Sequence, residues 1–365
     1  MDPSRKKIVI AMSGGVDSSV AAALLVQQGY EVTGMMLKLW SDDCDEAENA
    51  CCPPEAINQA RQVANLLGIP FYVLDVQKEF KQQVVDRFIE ALNLGLTPNP
   101  CYLCNQKIRW GVFIDRVLDS GIPYFATGHY AQVEAVEGAY VLRKGLDPKK
   151  DQSYVLSGLS QDQLSHTLLP LGKLTKPEVR QLAHQFNLPV AEKHDSQDLC
   201  FIGKAGYREF LKRNSPNAFA AGEIRTVSGT VVGSHAGLVN YTIGQRKGLG
   251  AGNAEPVYVV EKDTQQNAVI IGTAADLGKD RFEVVNLNWI QPVQGQLDLR
   301  CEVKIRYKAL PVSCVIHDPS LSTIQVQVEH PLRDITPGQI AVFYAGDTVI
   351  GSGMIKSVSS SGGKE

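Results

Sequence analysis

The chain has 365 residues, 44% of them hydrophobic and 21% charged, with a formal net charge of −3. These values exclude disorder as the main state, exceed what one core usually organises, and argue against binding bulk nucleic acid through overall charge, though not against a local basic surface. Ser13-Gly14-Gly15 and Asp17 interrupt the apolar run after Ile8-Val9-Ile10 too soon for a signal core or a membrane span. Neither secretion nor insertion is expected, and eight cysteines without a leader predict reduced thiols in a cytoplasmic setting.

Residues 1–213 alternate short apolar runs with amphipathic stretches. The spacing predicts strands at 7–12, 31–39, 70–75, 124–127 and 140–143, and helices at 17–28, 54–67, 78–93, 105–119, 160–164, 176–186 and 206–212. This is the pattern of an α/β domain with a parallel sheet. Asn214-Ser215-Pro216-Asn217 breaks it and marks a boundary. Residues 214–278 read as a small central β domain, with strands near 230–233, 257–261 and 268–272. Residues 279–358 read as a C-terminal β-barrel with strands at 284–289, 297–307, 312–317, 323–328 and 339–344. The Ser- and Gly-rich end, from Ser357, is expected to fray, leaving a flexible tail at 359–365.

The junction of the first strand and helix reads Ser13-Gly14-Gly15-Val16-Asp17-Ser18-Ser19. A strand turning through two glycines into a helix leaves the first helical N–H groups unpaired and aimed at the turn, where they attract anions. The serines add hydroxyl donors, and the loop has no lysine, so it is not a Walker loop. It resembles the PP-loop of the ATP pyrophosphatases, which split ATP into AMP and pyrophosphate. Asp17 is assigned to organising the loop or Mg²⁺, with the helix N-cap region as its structural alternative.

Cys101-Tyr102-Leu103-Cys104 precedes a helical stretch. A helix N-terminus favours thiolate, and Lys107 and Arg109 add positive charge nearby. Half a zinc site, a redox pair, an iron–sulfur ligand pair, and a nucleophile with a neighbour all remain open, although no second Cys-x-x-Cys completes a zinc knuckle. Cys200 is the remaining partner for the pair, but taken alone it fits a buried structural thiol equally well. Cys44, Cys51 and Cys52 lie in an acidic stretch and are not assigned as ligands. Cys301 and Cys314 fit small core residues. His166, His184, His317 and His330 have no metal-site spacing. Period-2 alternation puts Arg300, Lys304, Arg306 and Lys308 on one strand face, a surface that could track phosphates.

SGGVDSS at 13–19, TPNPCYLCN at 97–105, ATGHYA at 126–131, KKDQSYVL at 149–156, HDSQDLCFIG at 194–203 and GLVNYTIGQRKGLG at 237–250 occur in one order along the chain. Together they closely resemble the bacterial tRNA-specific 2-thiouridylases, from about residue 6 to 355. The resemblance implies an adenine nucleotide α-hydrolase-like N-terminal domain, a central β domain and a C-terminal barrel. The implied activity is ATP-dependent 2-thiolation of the wobble uridine in tRNA for Lys, Glu and Gln. The uridine C2 oxygen would be adenylated and a cysteine persulfide would supply the sulfur.

Laid on this sequence, the resemblance gives ATP to Ala11, Met12, Ser13, Gly14, Gly15, Val16, Asp17 and Ser18, with Leu37 and Gly128. It makes Cys104 the nucleophile and Cys200 the persulfide carrier, with a transient Cys104–Cys200 disulfide. Asn99, Pro100 and Cys101 face the target base, and many relatives have Asp where Cys101 stands. His129, Lys150, Asp151, Gln152, Arg306, Tyr307 and Gln339 map to tRNA contacts. Mg²⁺ and a sulfur donor, either a relay protein or a cysteine desulfurase, are implied as well. Two alternatives are carried forward: thiolation through an iron–sulfur cluster on Cys101, Cys104 and Cys200, and a tRNA-binding protein without catalysis.

Overall fold

The structure is a computed structural model and describes residues 6–40, 54–193, 199–203, 206–249, 255–293, 295 and 297–359. Cys44, Cys51, Cys52, residues 194–198 and the tail from 360 lie outside these. The chain divides into two compact units, one formed by residues 1–85, 100–204 and 347–349, the other by 86–99, 205–346 and 350–365.

In the first unit, β1 (Lys7–Ala11), β2 (Glu31–Lys38), β3 (Phe71–Asp75), β4 (Tyr124–Ala126) and β7 (Thr167–Leu168) form a parallel sheet in the order β3-β2-β1-β4-β7. Alternation along β1 splits its side chains between two faces. Ile8 and Ile10 join Val20, Ala21, Ala22 and Leu25 of helix Val16–Gln27 in one core. Val9 and its register partner Phe125 point to the other face, where Trp110 and Phe113 meet Phe125 edge-on at 5.4 and 5.0 Å. The expected parallel architecture is therefore present. The stretch 140–143 departs from it: β6 (Ala139–Lys144) pairs antiparallel with β5 (Ala131–Val136) in a hairpin.

The expected helix at 105–119 begins earlier, at Pro100, where proline's missing N–H costs nothing. Pro100–Leu103 leads into a π-helical stretch, Cys104–Phe113, and then Ile114–Asp119. Gly111 (φ −112°, ψ −105°) kinks the π stretch. The Trp110 carbonyl beside the kink accepts a hydrogen bond from Gln163 Nε2.

The second unit contains two β assemblies. In the central one, β8 (Ala221–Thr226), β9 (Val231–Ala236), β10 (Tyr258–Asp263) and β11 (Ala268–Gly272) run in the order β10-β11-β8-β9 around Ile224, Val259, Val269 and Ile271. The other is a barrel of β12 (Lys279–Trp289), β13 (Asp298–Lys304), β14 (Val312–His317), β15 (Thr323–Leu332), β16 (Ile340–Ala345) and β17 (Thr348–Ser359), closed by pairing of β12 with β17. Two sequence expectations are corrected here. The strand placed at 297–307 stops at Lys304, so Arg306 and Lys308 are not on its face. Residues 357–359 are not frayed, since Ser357, Val358 and Ser359 pair with Glu283, Phe282 and Arg281.

Candidate active site

In an open parallel sheet a ligand crevice forms at the carboxyl ends of adjacent strands whose connections run in opposite directions. Here those strands are β1 and β4, and the segments that leave them are the serine-glycine loop and Thr127-Gly128-His129. Gly14 adopts φ +70°, and a Cβ there would lie 2.4 Å from the Ala56 carbonyl oxygen, so the turn requires glycine. The Ser13 N–H donates to Ser18 Oγ at 3.1 Å, and Ser19 Oγ donates to the Gly15 carbonyl at 2.8 Å. Gly15 occupies the N-cap and no side chain caps the helix, leaving its first N–H groups facing the loop. Gly128 approaches the same helix start so closely that a Cβ would sit 2.7 Å from the Ser18 nitrogen. Leu37 is buried on β2.

Asp17 is not the N-cap. Its Oδ1 accepts from Tyr130 Oη at 2.8 Å and from Lys176 Nζ at 2.7 Å. Its Oδ1 is thus held by a phenol and an ammonium at the start of the first helix. Among the described residues, no group of three or more His, Cys, Asp or Glu side chains is arranged to hold a metal ion.

The loop has no lysine, yet two lysines reach it from far along the chain. Lys176 does so through Asp17. Lys193 Nζ donates to the Gly14 carbonyl at 3.0 Å and to Gln59 Oε1 at 2.5 Å. Both were missed in the sequence. The only available signal was that Lys193 stands immediately before the 194–203 motif.

Cys101, Cys104 and Cys200 are thiols within electrostatic reach of one another. Cys104 is buried, and burial pushes it up to about 12, with Arg109 acting the other way and Cys200 and Cys101 adding to the rise. Cys101 reaches the surface, yet its thiol is crowded enough that burial raises it too, followed by Cys200, against a lowering by Arg109. The thiolate expected from a helix N-terminus is thus overturned in the resting site, because desolvation outweighs the dipole. Cys200 is exposed rather than buried. Lys107 is exposed, and Arg109 is the cation that acts on the pair.

The remaining positions are placed as follows. His129 is buried, with Nδ1 2.7 Å from Thr127 Oγ1 and Nε2 3.3 Å from Arg109 Nη1. Asp151 is buried and accepts from the Gly145 and Ser153 N–H groups, each at 3.0 Å. Gln152 Oε1 accepts from the Tyr130 N–H at 2.9 Å. Lys150 is half-buried, its N–H donating to the Asp147 carbonyl. In the second unit Arg306 Nη2 donates to Thr336 Oγ1 at 2.5 Å and to the Ile243 carbonyl at 3.3 Å. Tyr307 is half-buried, and Gln339 Nε2 donates to the Thr97 carbonyl at 2.8 Å. Asn99 is half-buried and Pro100 buried, at the point where the chain passes between units.

Residues 6–204 match the tRNA methyl transferase HUP domain family, 208–273 the tRNA methyl transferase PRC-barrel domain and 279–355 the aminomethyltransferase beta-barrel domain. The tRNA-specific 2-thiouridylase MnmA of Symbiobacterium thermophilum is 44% identical over 97% of this chain and 93% of that protein. The chain belongs to the tRNA-specific 2-thiouridylase family. The MnmA of Chloroflexus aurantiacus is 44% identical over 95% of this chain and 98% of its own, and that of Clostridioides difficile 43% identical over 96% and 98%. In this 2-thiouridylase-family chain no helix of the described residues is long and apolar enough to cross a membrane.

Proposed function

We propose that this chain is an ATP-dependent tRNA 2-thiouridylase that acts on the wobble uridine of tRNA for Lys, Glu and Gln. The observation that carries this reading is the gathering of three thiols in the same unit as a phosphate-binding loop, at whose crevice His129 holds Arg109, the cation acting on Cys101 and Cys104. Methyltransferase-type names attach to the three matched domain families, but a nucleotide loop paired with thiols is the chemistry of activation and sulfur transfer, and the curated relatives carry the 2-thiouridylase name.

The C2 oxygen of uridine is a poor leaving group and needs activation. The helix N-terminus, the loop serines and Lys193 bind the phosphates while the C2 oxygen attacks the α-phosphorus, which releases pyrophosphate and leaves an adenylated base. Cys200, exposed at the surface, takes up sulfane sulfur from a relay protein or a cysteine desulfurase. Cys104 thiolate attacks the Cys200 sulfur of that persulfide; the S–S bond breaks, a Cys104–Cys200 disulfide forms and hydrosulfide departs with the electron pair. Hydrosulfide adds at C2 and AMP leaves. A dithiol reductant then returns both cysteines to thiols. Asn99, Pro100 and Cys101 meet the flipped base, and Lys150, Arg306, Tyr307 and Gln339 contribute to the tRNA surface. Mg²⁺ would supply charge neutralisation to bound ATP.

The test is an anaerobic assay of metal-free protein with ATP, Mg²⁺, a sulfur donor and unmodified tRNA for glutamate, read by nucleoside mass spectrometry beside Cys104→Ser and Cys200→Ser. Product that requires both thiols is expected. Activity only after iron–sulfur reconstitution would replace the persulfide route, and tRNA binding without product in either condition would leave a binding protein.

A further inference from the structure

Cys104 and Arg109 are five residues apart within the π-helical stretch Cys104–Phe113, ahead of its kink at Gly111. In an α-helix the fifth residue on points well away from the first. In a π-helix it stands one turn above it on the same face. The π stretch therefore lays the Arg109 side chain along the side of the helix that carries Cys104. The start of the stretch is fixed by buried Asn105, whose Nδ2 donates to the Val155 carbonyl at 3.2 Å. Its far end is fixed by buried Trp110, whose Nε1 donates to Thr167 Oγ1 at 2.7 Å.

The guanidinium end is also held. Arginine only donates, so His129 Nε2 must accept from Arg109 Nη1, and His129 is the neutral Nδ1–H tautomer donating to Thr127 Oγ1. Burial, and then the guanidinium itself, hold His129 well below the usual histidine range, so this tether carries no charge of its own.

We propose that Arg109 is the positioning cation of the sulfur-transfer centre, set over Cys104 by the π turn and tied by neutral His129 to the nucleotide crevice, so that Cys104 can act as a thiolate. This rests on the thiouridylase reading for its purpose. The groups that act on Cys104 are Arg109, Cys200 and Cys101, and Arg109 alone among them favours the anion. Lys78, Glu79, Lys81 and Tyr154 stand on the helical turns packed against this helix. A π-helix at this point is otherwise an expensive way to build a helix, since its geometry is rarer and poorer than the α form and concentrates at functional sites. Loss of Arg109 charge leaves only groups that oppose the thiolate.

The experiment is iodoacetamide alkylation of the full-length protein as a function of pH, without ATP, tRNA or metal, following the Cys104 peptide by mass spectrometry. Wild type is compared with Arg109→Lys, Arg109→Met and Arg109→Gln, and the Cys301 peptide in the barrel serves as a packing control. Both neutral variants should label Cys104 about tenfold more slowly at a fixed alkaline pH, with the profile displaced upward, while Arg109→Lys stays near wild type. Unfolding would do the opposite, exposing the thiol and speeding its labelling along with Cys301. An unchanged profile in a neutral variant whose Cys301 rate is unaltered overturns the proposal, as does a loss in Arg109→Lys equal to that in Arg109→Met. Because the readout needs no tRNA, it stands or falls separately from the thiolation assay.

Discussion

Lys193 Nζ lies 3.0 Å from the carbonyl oxygen of Gly14, 179 residues earlier in the chain. The bond fixes the glycine turn from outside and puts an ammonium on a loop whose own sequence contains none. Two of its three N–H donors go to Gly14 and Gln59; the third has no acceptor among the described residues. A phosphate oxygen is the natural acceptor, through a charge-assisted bond of about 1.5–3 kcal/mol. Lys193→Met should therefore weaken ATP binding about tenfold or more in calorimetric titration without tRNA, with Lys193→Arg intermediate. Unchanged affinity in Lys193→Met would assign the lysine to loop packing alone.

Gly128 has a different constraint. A Cβ there meets the backbone of Ser18 and Asp17 at 2.7–2.8 Å, which no rotamer change relieves. Gly128→Ala must push the 127–129 loop off the start of the first helix. Overpacking of this kind costs about 1–3 kcal/mol, and a displacement near the reacting atoms of about 1 Å can cost a hundredfold in rate. Single-turnover thiolation should fall far more than Tm. An enzyme that kept its rate would show that the close approach is incidental.

Asp17 and Lys176 make an ion pair whose lysine side chain is only 10% exposed. Asp17→Asn removes the charge of this partner from a mostly buried ammonium and should destabilise the unit by about 1–3 kcal/mol in urea unfolding. Lys176→Met in the Asp17→Asn background should recover part of the loss, giving a coupling energy of about 1 kcal/mol. Strict additivity of the two changes would mean the pair contributes nothing as a pair.

The sheet was legible because each parallel strand is a short apolar run set between amphipathic helices, and the nucleotide loop because two glycines and three serines interrupt that pattern at one point. β7 was not legible, since two residues carry no periodicity. β17 was hidden by Gly351 and Gly353, which look like linker residues. In the barrel a Cβ at Gly351 would strike the Trp289 ring at 2.4 Å and one at Gly353 would strike Val284 at 2.5 Å, so the glycines admit neighbours rather than flexibility. In the site, Cys104 and Cys200 stood out by motif, while Lys176, Lys193 and the Arg109–His129 contact depend on chain crossings that no local spacing reports. The charge state of the thiols was misjudged because the helix N-terminus is visible in sequence and the burial opposing it is not.

His129 gives stability a pH dependence of known sign. Its folded pKa is depressed by burial and then by Arg109, so below the ordinary value of 6.5 the unfolded chain binds a proton that the folded chain refuses. This contribution is complete above pH 6.5 and is lost as pH falls toward the folded value, at about 1.4 kcal/mol per unit. Unfolding free energy measured from pH 7 to 5 should decline with that slope, and His129→Gln should flatten it. An equal slope in His129→Gln would place the proton uptake on another group.

Cys301 and Cys314 stand directly opposite each other on β13 and β14, with their sulfurs 3.5 Å apart. Closing to a disulfide requires an approach of about 1.5 Å. The two thiols are not equivalent: the contact with Cys301, and then burial, push the Cys314 thiol up, while Cys301 is the more accessible. An azo oxidant such as diamide should react first at Cys301. Cys314 then displaces the reduced hydrazine, so that two thiols lose two hydrogens and the oxidant gains them. A peptide map under non-reducing conditions should show the Cys301–Cys314 cross-link with retention of the barrel, and the loop it closes should raise Tm unless strain offsets the gain. Cys301→Ser should abolish both changes. Oxidation that instead joins Cys101, Cys104 or Cys200 while Cys301 and Cys314 stay alkylatable would mean that the strands hold these sulfurs too rigidly to close.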